Sequence, residues 1–123
     1  MQLNISDERP IFLQFAEELE NNILKGIFEE ETQIPSTTEV AIKFKINPAT
    51  ANRGVNLLVD EDIIYKKRGI GMFVSAGARE KIRIKRKNVF YESYILSLIE
   101  EAKNLDISKD EIIALIERGC HDE

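Results

Sequence analysis

Thr50, Asn52, Arg53 and Asn56, followed by the triplet Lys66-Lys67-Arg68, are the side chains of this sequence best suited to chemistry with a partner. The chemistry is that of cations and small hydrogen-bonding groups meeting a polyanion: arginine and lysine neutralise phosphates, while threonine and asparagine can donate or accept at a base edge. Gly69 and Gly71 stand directly behind the triplet, and glycine permits positive φ and close approach of the backbone to a ligand. No comparable set supports catalysis. The single histidine, His121, lies beside the terminus, and the sequence has neither a glycine-rich phosphate loop nor a helix-borne carboxylate pair, so neither an enzyme nor a cofactor is expected. Cys120 adjoins His121, but two neighbours next to Asp122 and Glu123 make a poor metal site, and none is expected. A lone cysteine cannot close an internal disulfide, which agrees with a reducing compartment.

The overall net charge of −5 conceals a partition along the chain. Residues 1–42 carry 2 basic and 9 acidic side chains, residues 43–90 carry 12 and 4, and residues 91–123 carry 3 and 9. A basic middle between acidic ends gives a local positive surface, and local charge is what a phosphate backbone feels within a Debye length. Within that middle, the run Lys81, Arg83, Lys85, Arg86 and Lys87 fits a solvated helix face as well as a DNA-facing one.

These groups need elements to hold them, and 123 residues suffice for one compact domain plus an appendage of helices. Pro10 suits a helix start, and Phe12, Phe15, Ala16, Leu19 and Ile23 follow at helical spacing until Gly26. Glu29-Glu30-Glu31 reads as a solvated turn. Ser36 and Glu39 form a capping box opening a second helix with Val40, Ala41 and Phe44 inside. Asn47 caps a third helix that starts at Pro48 and buries Ala51, Val55 and Leu58, leaving Ala49, Thr50, Asn52, Arg53 and Asn56 turned away. Two short helices split by a tight turn are the helix-turn-helix pattern. Ile63 to Tyr65 and Met72 to Val74 then make a β-hairpin with a basic tip, the shape of a wing.

From Ala78 the pattern is helical again. Val89, Phe90, Tyr94, Ile95, Leu98, Ala102 and Leu105 form a stripe about seven turns long, and a second capping box, Ser108 with Glu111, opens a last helix expected to stop at Gly119. Tyr91 and Tyr94 read as interface packing in preference to a ligand pocket. Two helices are too little for an independent core below roughly 70 residues, so a second copy is expected to cover them. The expected fold class is mostly α with a small β-hairpin: a winged helix-turn-helix domain at residues 1–75 and a two-helix dimerisation region at 76–123. Apolar segments are far shorter than the roughly 20 residues that span a bilayer, and Asp7, Glu8 and Arg9 soon after Met1 do not read as a signal peptide, which together predict a cytoplasmic protein.

From Pro10 to Val74 the chain resembles the GntR family of bacterial transcription regulators, and its short tail resembles the YtrA subfamily. The resemblance rests on Pro10-Ile11-Phe12-Leu13-Gln14, Ile34-Pro35-Ser36-Thr37-Thr38-Glu39-Val40-Ala41, Ile46-Asn47-Pro48-Ala49-Thr50-Ala51-Asn52-Arg53, and the wing from Ile64 to Val74. It implies a homodimer that binds palindromic operator DNA as a sequence-specific regulator, a repressor by analogy, with the third helix in the major groove and the wing at the minor groove. By position, Ser36 and Thr37 would bond phosphates and Thr50 would sit at the groove, with Thr38, Asn47 and Ala49 counted among the DNA-binding residues. Asn52 and Arg53 would face bases or flanking phosphates, and Lys66, Lys67, Arg68, Gly69 and Gly71 would form the wing contact.

Four positions depart from the family pattern. Thr38 stands where many relatives have a DNA-contacting arginine, a role that could pass to Lys43 or Lys45. Ala49 replaces a common asparagine. Gly54 replaces an alanine inside the recognition helix, at about 0.5–1 kcal/mol unless close packing needs it. Asp62 takes the place of a helix-ending glycine. The resemblance leaves room for an unidentified small-molecule effector, and the operator sequence and regulated genes stay open. The alternative reading is a winged-helix protein–protein interaction module, which would show exposed apolar residues on the third helix where this chain has polar and basic ones.

Overall fold

The computed structural model describes residues 9–121; Asp7, Glu8, Asp122 and Glu123 lie outside the described residues. The chain packs as two units, the first ending at Ile84 and the second beginning at Lys85.

The first unit is built on three helices and a small sheet. Helix α1 (Ile11–Leu24) begins after Pro10, whose carbonyl accepts from the N–H groups of Leu13 and Gln14, and it stops where Gly26 takes φ 79°. Helix α2 (Thr37–Phe44) opens on the capping box of Ser36 and Glu39 and closes on Lys45 in the left-handed region. Helix α3 (Pro48–Asp60) opens on Asn47, whose side chain accepts from the N–H of Ala49. Asp62 holds φ 60° at its exit while the Ile63 N–H returns to the Leu58 carbonyl, so the aspartate supplies the left-handed residue that a glycine would otherwise supply.

The sheet differs from the expected hairpin. Strands β2 (Ile64–Lys67) and β3 (Gly71–Val74) pair antiparallel as the wing, and a third strand, β1 (Gln33–Ile34), joins the other side of β3 with Gln33 opposite Phe73 and Ile34 opposite Met72. Two residues carry too little alternation to read as a strand, and β1 exists because β3 offers it a free edge.

The core of this unit gathers Phe15, Leu19 and Ile23 of α1, Ala51, Val55 and Leu58 of α3, Ile64 and Val74 of the wing, and Ala78 and Ile82 from the start of α4 (Ala78–Phe90). Each large side chain so buried contributes about 1.5–3 kcal/mol. At Gly54, α1 and α3 approach closely. A Cβ there would stand 2.8 Å from Cδ2 of Phe15 and 2.9 Å from the carbonyl oxygen of Phe12, so the missing side chain is required by the packing.

Glu30 is not merely part of a solvated turn. Its carboxylate accepts from the N–H groups of Gly77 at 2.7 Å and Arg79 at 3.2 Å, capping α4 from another part of the chain, and these bonds hold its pKa below the ordinary 4.5. The Arg79 guanidinium reaches on to the Leu24 carbonyl at 3.1 Å.

The second unit is helical. After α4 the chain forms a π-helical turn at Tyr91–Ile95, in which the Leu96 N–H bonds to the Tyr91 carbonyl, and then α5 (Leu96–Asn104). Asp106 in the left-handed region and the Ile107 N–H bonded to the Ala102 carbonyl end α5. The Ser108–Glu111 box, with the Glu111 N–H on Ser108 Oγ at 3.1 Å, precedes α6 (Lys109–His121). That helix runs through Gly119 instead of stopping there: the glycine keeps negative φ, so it costs propensity without ending the helix. Leu98, Leu105, Ile107, Ile112, Leu115 and Ile116 line an apolar groove of about 340 Å³ between α5 and α6.

Candidate nucleic-acid interface

The candidate interface comprises the starts of α2 and α3, the outer side of α3 and the wing. At the head of α2, Ser36 Oγ accepts from the Glu39 N–H at 3.1 Å, which leaves its own O–H free to donate outward. The Thr37 hydroxyl is turned to the wing strand, where it meets the sulfur of Met72 at 3.5 Å. Thr38, Lys43 and Lys45 are exposed on α2 and its exit.

The head of α3 is fixed by Asn47 Oδ1, 2.7 Å from the Ala49 nitrogen, so Asn47 serves as a cap whatever else it touches. Ala49, Asn52 and Arg53 are exposed and Thr50 is half-buried, while Ala51, Val55 and Leu58 turn inward with no exposed surface. The outer side of α3 is thus polar and basic, unlike an apolar docking helix. The Arg53 guanidinium lies 3.8 Å from the centroid of the Phe12 ring.

The wing is stiffened by aromatic and polar contacts. Tyr65 and Phe73, opposite each other in the register, stack at 5.5 Å with 19° between their planes, and Lys67 Nζ sits 4.7 Å from the Phe73 centroid. Lys66 Nζ donates to Asn56 Oδ1 of α3 at 2.8 Å. At the tip, Gly69 (φ 78°) and Gly71 (φ 146°) adopt backbones that favour glycine, and the Ile70 N–H closes the turn on the Lys67 carbonyl. Gln33 of β1 donates from Nε2 to the Ile70 carbonyl at 3.0 Å, and a Cβ on Gly71 would fall 2.5 Å from that same nitrogen. Arg68 and Ile70 project from the tip, Ile70 with 63% of its surface exposed.

The structure therefore brings Lys66 against α3, Thr37 against β3, and Arg53 against α1. Phe12, Gln33 and the Tyr65–Phe73 pair are supporting residues that sequence reasoning missed as such. Phe12 was legible only as a helix residue, and Gln33 carries no local signal. Cys120 and His121 are exposed in the last turn of α6, and among the described residues no cluster of three or more histidine, cysteine or acidic side chains could hold a metal. Among the described residues no helix is long and apolar enough to cross a membrane.

Comparison with known proteins agrees with this architecture. Residues 13–74 match the bacterial regulatory proteins of the gntR family. The HTH-type transcriptional repressor NagR of Bacillus subtilis is 32% identical over 81 residues, 66% of this chain and 33% of NagR, so the chain spans about a third of that relative's length. The HTH-type transcriptional repressor YtrA of the same organism is 28% identical over 102 residues, 83% of this chain and 78% of YtrA. A crystal structure of a GntR-family transcriptional regulator from Bacteroides thetaiotaomicron superposes with a TM-score of 0.72 at 35% identity, covering 92% of this chain and 98% of that one. The DNA-binding domain of AraR, solved in complex with operator ORE1, is 26% identical with a TM-score of 0.54, over 59% of this chain and 89% of that one. With its helix-turn-helix, its basic wing and a family match across both, the chain belongs to the GntR family of bacterial regulatory proteins and carries that family's DNA-binding winged helix.

Proposed function

We propose that the chain acts in the cytoplasm as a homodimeric repressor without catalytic activity, binding a two-fold symmetric operator through one α3 and one wing from each protomer. The observation that carries the dimer is the groove between α5 and α6: Leu98, Leu115 and Ile116 keep 41%, 44% and 52% of their surface exposed, in a unit too small to cover them itself. The partner that fits is a second copy, since symmetric pairing buries the same patch on both chains. In this reading the Ser36 hydroxyl, the Thr37 backbone N–H at the head of α2 and the wing cations anchor phosphates, the Thr37 hydroxyl being engaged by Met72. Thr50, Asn52 and Arg53 meet the major groove, and Thr38, Asn47 and Ala49 line its rim. NagR and YtrA carry the name repressor, which supports that sign of regulation here, and a small-molecule effector would act by shifting the dimer between DNA-competent and incompetent states.

The test is footprinting on genomic fragments selected by the protein. Two protected half-sites about one helical turn apart are expected. The Ile116→Glu variant, which buries a charge in the apolar groove, should sediment as a monomer and lose the paired footprint. A single half-site bound as tightly as the full site refutes the reading.

A further inference from the structure

We infer that Phe12 is a positioning residue for DNA binding, its ring serving as the platform that holds the Arg53 guanidinium ready on the recognition helix. The inference rests on the proposed reading that Arg53 faces DNA. Three observations carry it. The guanidinium carbon lies 3.8 Å from the ring centroid, the distance of a face-on stack. The approach is built into the backbone, because Gly54, the residue after Arg53, has no side chain and lets the Phe12 carbonyl come to where a Cβ would be 2.9 Å away. Arg53 is exposed, and among the described residues no side-chain hydrogen bond or ion pair engages its guanidinium.

The geometry divides the guanidinium usefully. A guanidinium stacked on a ring at this distance turns its flat face to it, which leaves all five N–H donors, lying in the plane and pointing from its edges, for a phosphate or a base. An arginine on a bare helix surface samples many rotamers and must be ordered when DNA arrives. Here much of that ordering precedes binding, and preorganisation of this kind appears as affinity. Lys66 makes a contrast, since its one ammonium spends a donor on Asn56.

The test measures binding of the full-length chain to a duplex that it selects from a genomic pool and to a random-sequence duplex, with the melting temperature of every variant read alongside. Phe12→Leu is expected to weaken binding to the selected duplex roughly two- to fivefold, the size of an exposed cation–π contact, and Phe12→Tyr to keep wild-type affinity. Arg53→Ala should lose more, and Phe12→Leu with Arg53→Ala should bind like Arg53→Ala alone. A purely structural Phe12 would instead weaken binding by the same factor in both backgrounds, and that additivity would overturn the inference. Should Phe12→Leu fold poorly, Phe12→Met carries the test with a smaller change in volume: it removes the ring, and should reproduce the two- to fivefold loss in the wild-type background and none in Arg53→Ala. Wild-type affinity in Phe12→Met overturns the platform. Wild-type affinity of Arg53→Ala on both duplexes overturns instead the prior reading that Arg53 meets DNA.

Discussion

Lys66 of the wing and Asn56 of α3 are joined by a hydrogen bond of 2.8 Å, so the two elements proposed to meet DNA are tied to each other in its absence. Removing the tie should loosen the wing without unfolding the protein. In Asn56→Ala the lost bond is offset in part by the better helix propensity of alanine, and the melting temperature should move little. Amide exchange at the tip of β2 and β3 should quicken roughly two- to fivefold while that of α1 stays unchanged. Equal acceleration in both would mean that the bond stabilises the whole unit instead of the wing.

Gly54→Ala sets two effects against each other. Alanine gains about 1 kcal/mol in a helix interior, but its Cβ would meet the Phe15 ring at 2.8 Å and the Phe12 carbonyl at 2.9 Å, and the second is backbone that cannot swing aside. Overpacking of this kind costs about 1–3 kcal/mol, so net destabilisation of up to about 2 kcal/mol is expected in denaturant melts. A variant more stable than wild type would show that α1 and α3 can move apart freely.

Glu30 gives stability a pH dependence of known sign. Its pKa is lowered in the folded state by the Gly77 and Arg79 N–H bonds, so it stabilises the fold above the ordinary 4.5 and loses that contribution as pH falls through the lower folded value. Glu30→Gln, which cannot ionise, should be less stable than wild type at neutral pH and should converge on it at the acid end. Melting curves across the carboxylate range check this; parallel curves would contradict it.

The local features were legible because their causes are local. The two capping boxes and the Asn47 cap are decided by residues a few positions apart, and each stands as the spacing predicts, while Asp62 is left-handed where the family resemblance puts a helix-ending glycine. What escaped reading is long-range. Gln33 reaches 37 residues to the wing tip and Glu30 reaches 47 to the head of α4, and nothing in either neighbourhood announces the partner. Gly54 lies between: the cost of a helical glycine pointed to close packing, yet only the fold names Phe12 and Phe15 as the reason. At the interface the polar side of α3 and the basic tip were visible as residue types. The ring under Arg53 was not, because an aromatic at helical spacing reads first as core.

Under the proposed DNA-facing roles, the wing and the recognition helix should fail differently when mutated. Replacing Lys67 and Arg68 with alanine removes two phosphate-facing cations, so affinity should fall on operator and random DNA alike, with the slope of log K against log salt shallower by up to about 2. Replacing Thr50 or Asn52 should cost about 1–3 kcal/mol on the operator and little on random DNA. Salt titrations of each variant on both duplexes check this. A wing variant that kept its slope and lost only operator affinity would move base readout to the wing.

The π-helical turn at Tyr91–Ile95 bears on how this helix could change in length over evolution. It accommodates one residue more than an α-turn, with Tyr91 and Leu96 bonded across it. Deleting one residue inside it would leave an unbroken α-helix whose two flanks keep their present orientation. A deletion elsewhere between Lys85 and Leu96 would instead rotate everything beyond it by about 100° and turn the whole α5–α6 groove, Leu98 and Ala102 included, away from its present facing. Single-residue length variants among relatives should therefore concentrate at this turn, which acts as the expansion joint of the helix.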